Sequence, residues 1–316
     1  MVRPVLRECR KSGRLVIVTA LLAVVSACSL GSSRSGPIGP DQLPASNTGA
    51  RPYKKIGVAP FEVRTQHTDS YSRELMHSYV LGAIRTECQG IIFVQPSDED
   101  YPPVLRSLPR LESGNLDNLQ VAIAGRQLGL NAVLVGTLTS VGTEEKDWGI
   151  WWLKQNRHYV GVQIRIEVFD TETATKLVDE VAARQVRIDE ADVEMIEQQD
   201  RIDSGFIEEI LEVIAQKLDD DICEAIGDQH WKSYVLSADP EQLWIASGSR
   251  HGLRPGLVLE VFDSNTVMEG FGGHNYFKPG PKVAEVKLVE VQPQRSKAVV
   301  LTGGDIKPLS PVKFKQ

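Results

Sequence analysis

The sequence predicts an α/β domain of the α+β type followed by a small all-β domain. Between residues 53 and 228, short apolar runs alternate with amphipathic stretches of helical period, which is the pattern of a sheet covered by helices. Between residues 229 and 316, helical patterns stop, and short β runs are separated by turns rich in glycine and proline. The length of 316 residues allows two domains with a core each.

The elements of the first domain follow from two periodicities. Apolar side chains recur at helical spacing over residues 70–88, whereas they occupy every second position over residues 160–168. One face of that second segment should therefore meet helices and the other solvent or a partner. The run 132–139 is apolar throughout, which predicts a strand in the middle of the sheet. In chain order we expect strands at 55–61 and 90–96, a helix at 70–88 between them, a helix at 116–128, strands at 132–139, 160–168 and 176–188, and a closing helix from 206 to about 227.

The second domain is predicted to be a small barrel or sandwich because its β runs are short and separated by turn residues. Gly256 follows a proline and supplies a tight turn, and residues 283–286 alternate between inward and outward positions. The predicted strands lie at 233–236, 242–246, 258–262, 283–291, 297–301 and 312–314.

Composition and motifs argue against several classes of function. The formal net charge of -7 and the pI of about 5.5 argue against a nucleic-acid partner. The histidines share no metal-ligand spacing, the acidic runs do not follow the EF-hand pattern, and the Gly-rich segment 270–274 lacks the lysine of a phosphate loop. The nucleophile turn Gly-x-Ser-x-Gly is also missing. We therefore expect no enzyme, metal site or cofactor, and we expect segment 270–274 to be a flexible loop.

The amino terminus has the pattern of an export signal. Basic residues precede the apolar run 15–27, which is too short to span a bilayer as a helix. The run ends in Val-Ser-Ala-Cys at residues 25–28, which resembles the bacterial lipobox. That resemblance implies a signal peptide at 1–27 and a diacylglyceryl group on Cys28. The alternative is an ordinary signal with an incidental cysteine. Ser29 follows the cysteine, and in similar lipoproteins a residue other than aspartate there permits sorting to the outer membrane, where we expect the protein on the periplasmic face.

Residues 28–52 are predicted to be a flexible tether. The segment is rich in serine, glycine and proline and has few apolar side chains, so it cannot bury enough surface to offset its ordering entropy. A flexible chain of this length has a typical reach of roughly 25–30 Å. The folded domains, at 53–228 and 229–316, can therefore stand off the bilayer.

Short phrases in both domains resemble envelope proteins. KKIGVAPF, NAVLVGTLTSV and VQIRIEVFDTETATKL resemble the fold shared by the TolB amino-terminal domain, CsgG-type curli secretion lipoproteins, LpoB-type activators and the middle domain of FlgT. This resemblance implies a TolB-N/CsgG-like sandwich without catalytic residues. In the second domain, GLRPGLVLEVF, KVAEVKLVEVQPQRSKAVVL and LSPVKF resemble the carboxy-terminal β domain of FlgT, which implies an assembly factor.

The stretch between Val141 and Tyr159 departs from that family pattern. It contains Trp148, Trp151 and Trp152, three of the five tryptophans in the chain. Tryptophan is enriched in interface hot spots and at membrane headgroups, so this hairpin tip is a candidate contact with a partner or a membrane. The alternative is a loop that folds its tryptophans onto its own sheet.

Cys88 and Cys223 are a candidate disulfide. They lie at the ends of the first and last predicted helices of the first domain, in a compartment that permits disulfides. The alternative is two separate buried thiols.

Together these observations predict a lipid-anchored, non-enzymatic assembly or scaffold factor for an envelope machine, with the flagellum as the specific candidate. Its partners would be the membrane, through Cys28, and envelope proteins, and a homo-oligomer is allowed. The first alternative is a curli-type secretion-channel subunit, which would form rings with membrane-inserted hairpins. Residues 142–158 do not show the alternating apolar strands that such hairpins need. The second alternative is an activator of a peptidoglycan synthase, or an envelope enzyme.

Overall fold

The computed structural model describes residues 52–64, 70–199, 201–239, 242–264 and 266–315. The predicted signal peptide, Cys28 and the predicted tether up to residue 51 lie outside the described residues. The described residues belong to one compact unit. The predicted division into two domains near residue 228 stays a prediction.

The amino-terminal half is built on a six-stranded mixed sheet. Its strands are β1 (Lys54–Val58), β2 (Glu62–Val63), β3 (Ile91–Val94), β4 (Ala132–Trp148), β5 (Gln155–Asp170) and β6 (Lys176–Ile188). The order is β3-β1-β4-β5-β6, with β2 paired to β4. Strands β1, β3 and the start of β4 run parallel, whereas β4, β5 and β6 form an antiparallel meander. The first seven residues of β4 are buried in mid-sheet, as the continuous apolar run predicted.

Helices cover the two faces of this sheet unequally. The helices are α1 (Ser70–Glu87), α2 (Pro103–Arg106), α3 (Asn118–Gln127), α4 (Glu190–Gln199) and α5 (Ser204–Gly227). Helices α1 and α5 pack on one face, where Val80, Leu211 and Ile164 belong to the main core. On the other face, α3 and the short helix α2 cover only the region around Val133 and Phe169, near the start of β4 and the end of β5. Among the described residues, no helix covers the rest of that second face.

The carboxy-terminal half is a closed six-stranded barrel. Its strands are β7 (Lys232–Asp239), β8 (Gln242–Ile245), β9 (Val258–Phe262), β12 (Lys282–Val291), β13 (Ser296–Gly303) and β14 (Pro311–Phe314), and the hairpin β10 (Val267–Glu269) and β11 (Asn275–Phe277) lies between them in sequence. Val235, Val261 and Val286 fill the barrel core. The structure therefore confirms a mixed α/β fold with a β-barrel, and each of the six predicted strands matches a barrel strand.

The structure adds β2, α2 and the β10–β11 hairpin to the predicted elements, and it differs from the prediction in two other segments. Strands β4 and β5 extend to Trp148 and from Gln155, beyond the predicted strand ends at 139 and 160. The prediction stopped short because both faces of this extension carry charged side chains, so apolar residues do not occupy every second position. The backbone pairing of the two strands is nevertheless unbroken there. The acidic stretch before the closing helix holds α4, whose Val193 and Ile196 pack against the main core.

Candidate binding surface on the long hairpin

The β4–β5 hairpin projects beyond the helical layer. At about 3.3 Å per residue, a strand of the length of β4 is roughly 55 Å long. Its two strands stay paired from Ala132 opposite Asp170 to Trp148 opposite Gln155. From residue 142 to residue 159, which we call the hairpin extension, no residue is fully buried. The extension is therefore held by the sheet and free of the helices.

The end of the extension is an exposed apolar turn. We call residues 148–153 the tryptophan tip. This segment contains no charged residue, and all its side chains larger than glycine are exposed: Trp148 by 57%, Ile150 by 79%, Trp151 by 80%, Trp152 by 81% and Leu153 by 66%. The tryptophans do not fold back onto their own sheet. Their contact with a partner or a membrane stays a prediction.

The backbone of the tip forms a tight turn. Trp151 has a φ of 52° and Gly149 a φ of 115°, both in the left-handed region. A Cβ atom on Gly149 would lie 2.3 Å from the carbonyl oxygen of Leu153, so only glycine fits there. The rings of Trp151 and Trp152 lie 5.6 Å apart, centroid to centroid. The turn therefore presents these rings side by side.

Charged side chains surround the base of the tip, and we call them the collar. Lys154 Nζ lies 3.3 Å from Asp147 Oδ2, and Lys146 Nζ lies 3.0 Å from Glu144 Oε2. The guanidinium of Arg157 stacks on Trp148, 3.6 Å from the ring centroid. Glu144 and Asp147 are thus each paired with a lysine.

The helix-free face of β4, β5 and β6 carries a groove, and we call this side the open face. Gly142 pairs with Gly161, which pairs with Gln185 on β6, so two side chains are missing from the floor. The groove has a volume of about 590 Å³. Its polar walls include Ser140, Glu144, Lys146, Gln163 and Gln185.

Ion pairs and hydrogen bonds hold the charged side chains of the open face in position. Lys146 donates to Gln185 Oε1 at 2.8 Å as well as pairing with Glu144. Nearer the base, Arg165 donates two hydrogen bonds to Asp179, at 2.7 and 2.8 Å. These bonds, more than any other effect, lower the pKa of Asp179 to about 2. Asp179 is therefore a fixed anion near neutral pH, which suits recognition better than proton transfer.

A buried ionic cluster ties the base of the hairpin to the barrel. Lys232 of β7, 2% exposed, donates to Asp170 at the end of β5 and lies 3.7 Å from Glu172. Glu172 also pairs with Lys313 of β14 at 2.7 Å. Burial alone would raise the pKa of Asp170, but the charge and hydrogen bond of Lys232, with the bonds from Thr173, hold that pKa below its ordinary value.

Arg126 of α3 joins the same region. Its guanidinium is fully buried and donates to the carbonyl oxygens of Thr171, Glu172 and Ser264. It also lies 3.6 Å from the ring centroid of Phe277. Sequence reasoning missed both Arg126 and Lys232, because their partners are distant along the chain and no local pattern signals them.

Cys88 and Cys223 are brought together by α1 and α5. Cys88 directly follows α1, and Cys223 lies in the last turns of α5. Their Cα atoms are 5.1 Å apart, and the two residues form a disulfide. The bond joins the carboxy-terminal ends of the two helices that cover the sheet.

Hydrogen bonds with Asn118 hold the end of the Gly-rich loop that precedes β11, whereas the predicted flexibility of segment 270–274 stays a prediction. Asn118 at the start of α3 accepts a hydrogen bond from the backbone of Asn275 and donates one to its carbonyl. Asn118 also bonds the ring of His274 at 3.1 Å. Phe271 at the turn is 98% exposed, and no local sequence pattern predicts that exposure.

Neither a metal cluster nor a membrane-spanning helix is found among the described residues. In the part of the chain that the structure describes, no three His, Cys, Asp or Glu residues cluster as a metal site would require. His251 is buried, and burial above all lowers its pKa to about 4. None of the described helices has the length and apolarity needed to cross a membrane.

Comparisons leave the family open. No protein-family model and no curated protein matches the chain. A hypothetical protein from Chlamydia trachomatis is 9% identical, with a TM-score of 0.35, over 56% of this chain and 99% of that chain. The minor lipoprotein from Acinetobacter baumannii is 11% identical, with a TM-score of 0.28, over 54% and 94%. The PelC dodecamer from Paraburkholderia phytofirmans is 12% identical, with a TM-score of 0.30, over 53% and 88%. Such low TM-scores do not establish a shared fold.

Proposed function

We propose that this chain is a lipoprotein of the bacterial envelope that works as a non-enzymatic assembly or scaffold factor. The sequence of residues 1–28 supports the lipid anchor, since a short apolar run ends at a lipobox-like cysteine. Anchoring would be at the periplasmic face of the outer membrane. The flagellum is the specific machine we propose, on the resemblance of the second domain to that of FlgT.

The main support for a scaffold role is the open face. A three-stranded surface with a glycine floor stands clear of the helices and offers amide, hydroxyl and charged groups to a partner. Its lysine is ion-paired with Glu144 and hydrogen-bonded to Gln185, an arrangement that holds the charged group in one position for recognition. We therefore assign the open face to the binding of an envelope protein.

A paired substitution in the groove floor tests this role. A Cβ atom at Gly142 would meet nothing within 4 Å, and one at Gly161 would have its nearest neighbour at 3.7 Å. Gly142→Val with Gly161→Val should therefore fill the groove without unfolding the protein. Gly304→Val is the matched control, because that glycine also has open space around it.

The expected result is that the groove variant fractionates like the wild type but no longer rescues a strain that lacks the gene. The control should rescue it fully. Full rescue by the groove variant would refute the role of the open face. Cys28→Ser tests the anchor separately, and we expect that variant to leave the membrane fraction.

A curli-type secretion subunit is the second candidate, and the length of β4 and β5 favours it. That function requires a ring of subunits. Sedimentation of the detergent-extracted protein would then show a large assembly, and a monomer would contradict this candidate.

A further inference from the structure

We propose that the tryptophan tip docks into the interfacial layer of the bilayer that holds the lipid on Cys28. The inference rests on the proposed function, because it takes that lipid as the first attachment. The tip would be a second contact, and two contacts at different points of the molecule would fix the direction in which the open face points.

The composition of the tip matches a membrane interface. The three tryptophans together expose roughly 400 Å², if a whole tryptophan offers about 200 Å². Ile150 and Leu153 enlarge this patch beyond the few hundred Å² that a soluble monomer usually exposes. Tryptophan is the side chain that membrane proteins concentrate at the level of the headgroups. The tip is also a convex turn at the end of a hairpin, a shape suited to insertion.

The collar sets the depth of this contact. Lys146, Asp147, Lys154 and Arg157 lie directly behind the apolar turn and would stay among the headgroups. Insertion would then be limited to roughly 5–10 Å, the depth of interfacial elements. Because three cations, Lys146, Lys154 and Arg157, are balanced by the three carboxylates of residues 144, 145 and 147, the hairpin extension has no net charge and its attraction to anionic lipid is weak. Docking should therefore depend little on salt.

The length of the chain before the folded unit permits both contacts. Ile56 of β1 pairs with Ala132 at the start of β4, so the beginning of the described chain lies roughly 50 Å from the tip. Residues 29–52 span at most about 80 Å when extended. The acyl chains and the tip can therefore occupy one bilayer, with the hairpin upright or tilted.

Fluorescence quenching by brominated lipids tests the contact. The full-length protein, extracted from membranes with detergent, is reconstituted into phosphatidylethanolamine and phosphatidylglycerol vesicles with plain or brominated acyl chains. Trp231→Phe with Trp244→Phe removes the barrel tryptophans and leaves only the tip to report. The matched control, called the Ser variant, combines Trp148→Ser, Trp151→Ser and Trp152→Ser and reports only the barrel. If the first variant does not fold, the wild-type spectrum minus that of the Ser variant gives the same information.

We expect brominated lipid to remove most of the tip emission, at low and at high salt, and to leave the barrel emission unchanged. Tip emission that stays solvent-like and unquenched would overturn the inference. The inference would also be overturned if the tip emission lost its solvent-like character only after a protein partner was added and brominated lipid still did not quench it. That result would assign the tip to the partner. The mass of the same sample reports the acylation of Cys28. An unmodified cysteine overturns the proposed function, whereas a modified cysteine with an unquenched tip overturns only this inference.

Discussion

Removing the charge of Lys232 should destabilise the whole protein. This lysine is 2% exposed and is bonded to Asp170, which is itself buried between the sheet and the barrel. In Lys232→Met, Asp170 keeps its charge in a site with little water and loses its main counter-ion. Breaking one side of a buried ion pair costs about 3–5 kcal/mol. This cost is a large fraction of the typical free energy of unfolding of a protein, about 5–15 kcal/mol.

Urea unfolding at neutral pH, followed by circular dichroism and tryptophan fluorescence, measures this loss. Lys232→Met with Asp170→Asn is the control, because it removes both charges and leaves Glu172 paired with Lys313. We expect the double variant to regain most of the stability. Exposed ion pairs typically contribute less than about 1 kcal/mol. If Lys232→Met lowers the unfolding free energy by no more than that, Asp170 does not depend on Lys232 as a buried partner would, and the description of this cluster is refuted.

Three further predictions concern stability. Because the pKa of Asp170 is lowered in the folded state, its contribution is present above the ordinary carboxyl pKa of about 3.9 and is lost as pH falls through the lowered value. Acid unfolding curves should therefore be steeper for the wild type than for Asp170→Asn, and equal slopes would count against this pair. Reduction of the Cys88–Cys223 bond should lower the unfolding free energy by up to about 5 kcal/mol in urea, and alkylation of both cysteines without reductant would show that no bond exists. Gly136→Ala should cost about 1–3 kcal/mol, since its Cβ would lie 2.9 Å from an aromatic ring, whereas Gly142→Ala should stay within about 0.5 kcal/mol. Equal thermal melts for the two variants would contradict the packing described.

Sequence patterns predicted the fold where one physical rule dominated. Continuous apolar residues at 132–139 indicated the central strand, and turn residues between short β runs indicated the barrel strands. The same rules failed on the hairpin extension. Both faces of its strands are exposed, so charged residues such as Glu144, Glu145 and Lys146 follow one another and the alternation of apolar and polar residues is absent. Backbone hydrogen bonds continue there without any apolar signal.

The candidate site was predictable only in part. The cluster of tryptophans drew attention to residues 148–152, because the composition is unusual. The groove depends on Gly142 and Gly161 standing opposite each other on two strands, and a register between strands cannot be read from one sequence. The ionic cluster around Lys232 likewise depends on how the barrel packs against the sheet.

Site-specific photo-crosslinking in the bacterium that carries the gene tests the central claim most directly. A photoreactive residue replaces Gln185 on the open face, and in a separate strain it replaces Glu209, which is exposed on α5. We predict that position 185 crosslinks one envelope protein, that position 209 does not, and that Gly142→Val with Gly161→Val abolishes the product. No product from position 185, or the same products from both positions, would contradict the assignment of the open face as the binding surface.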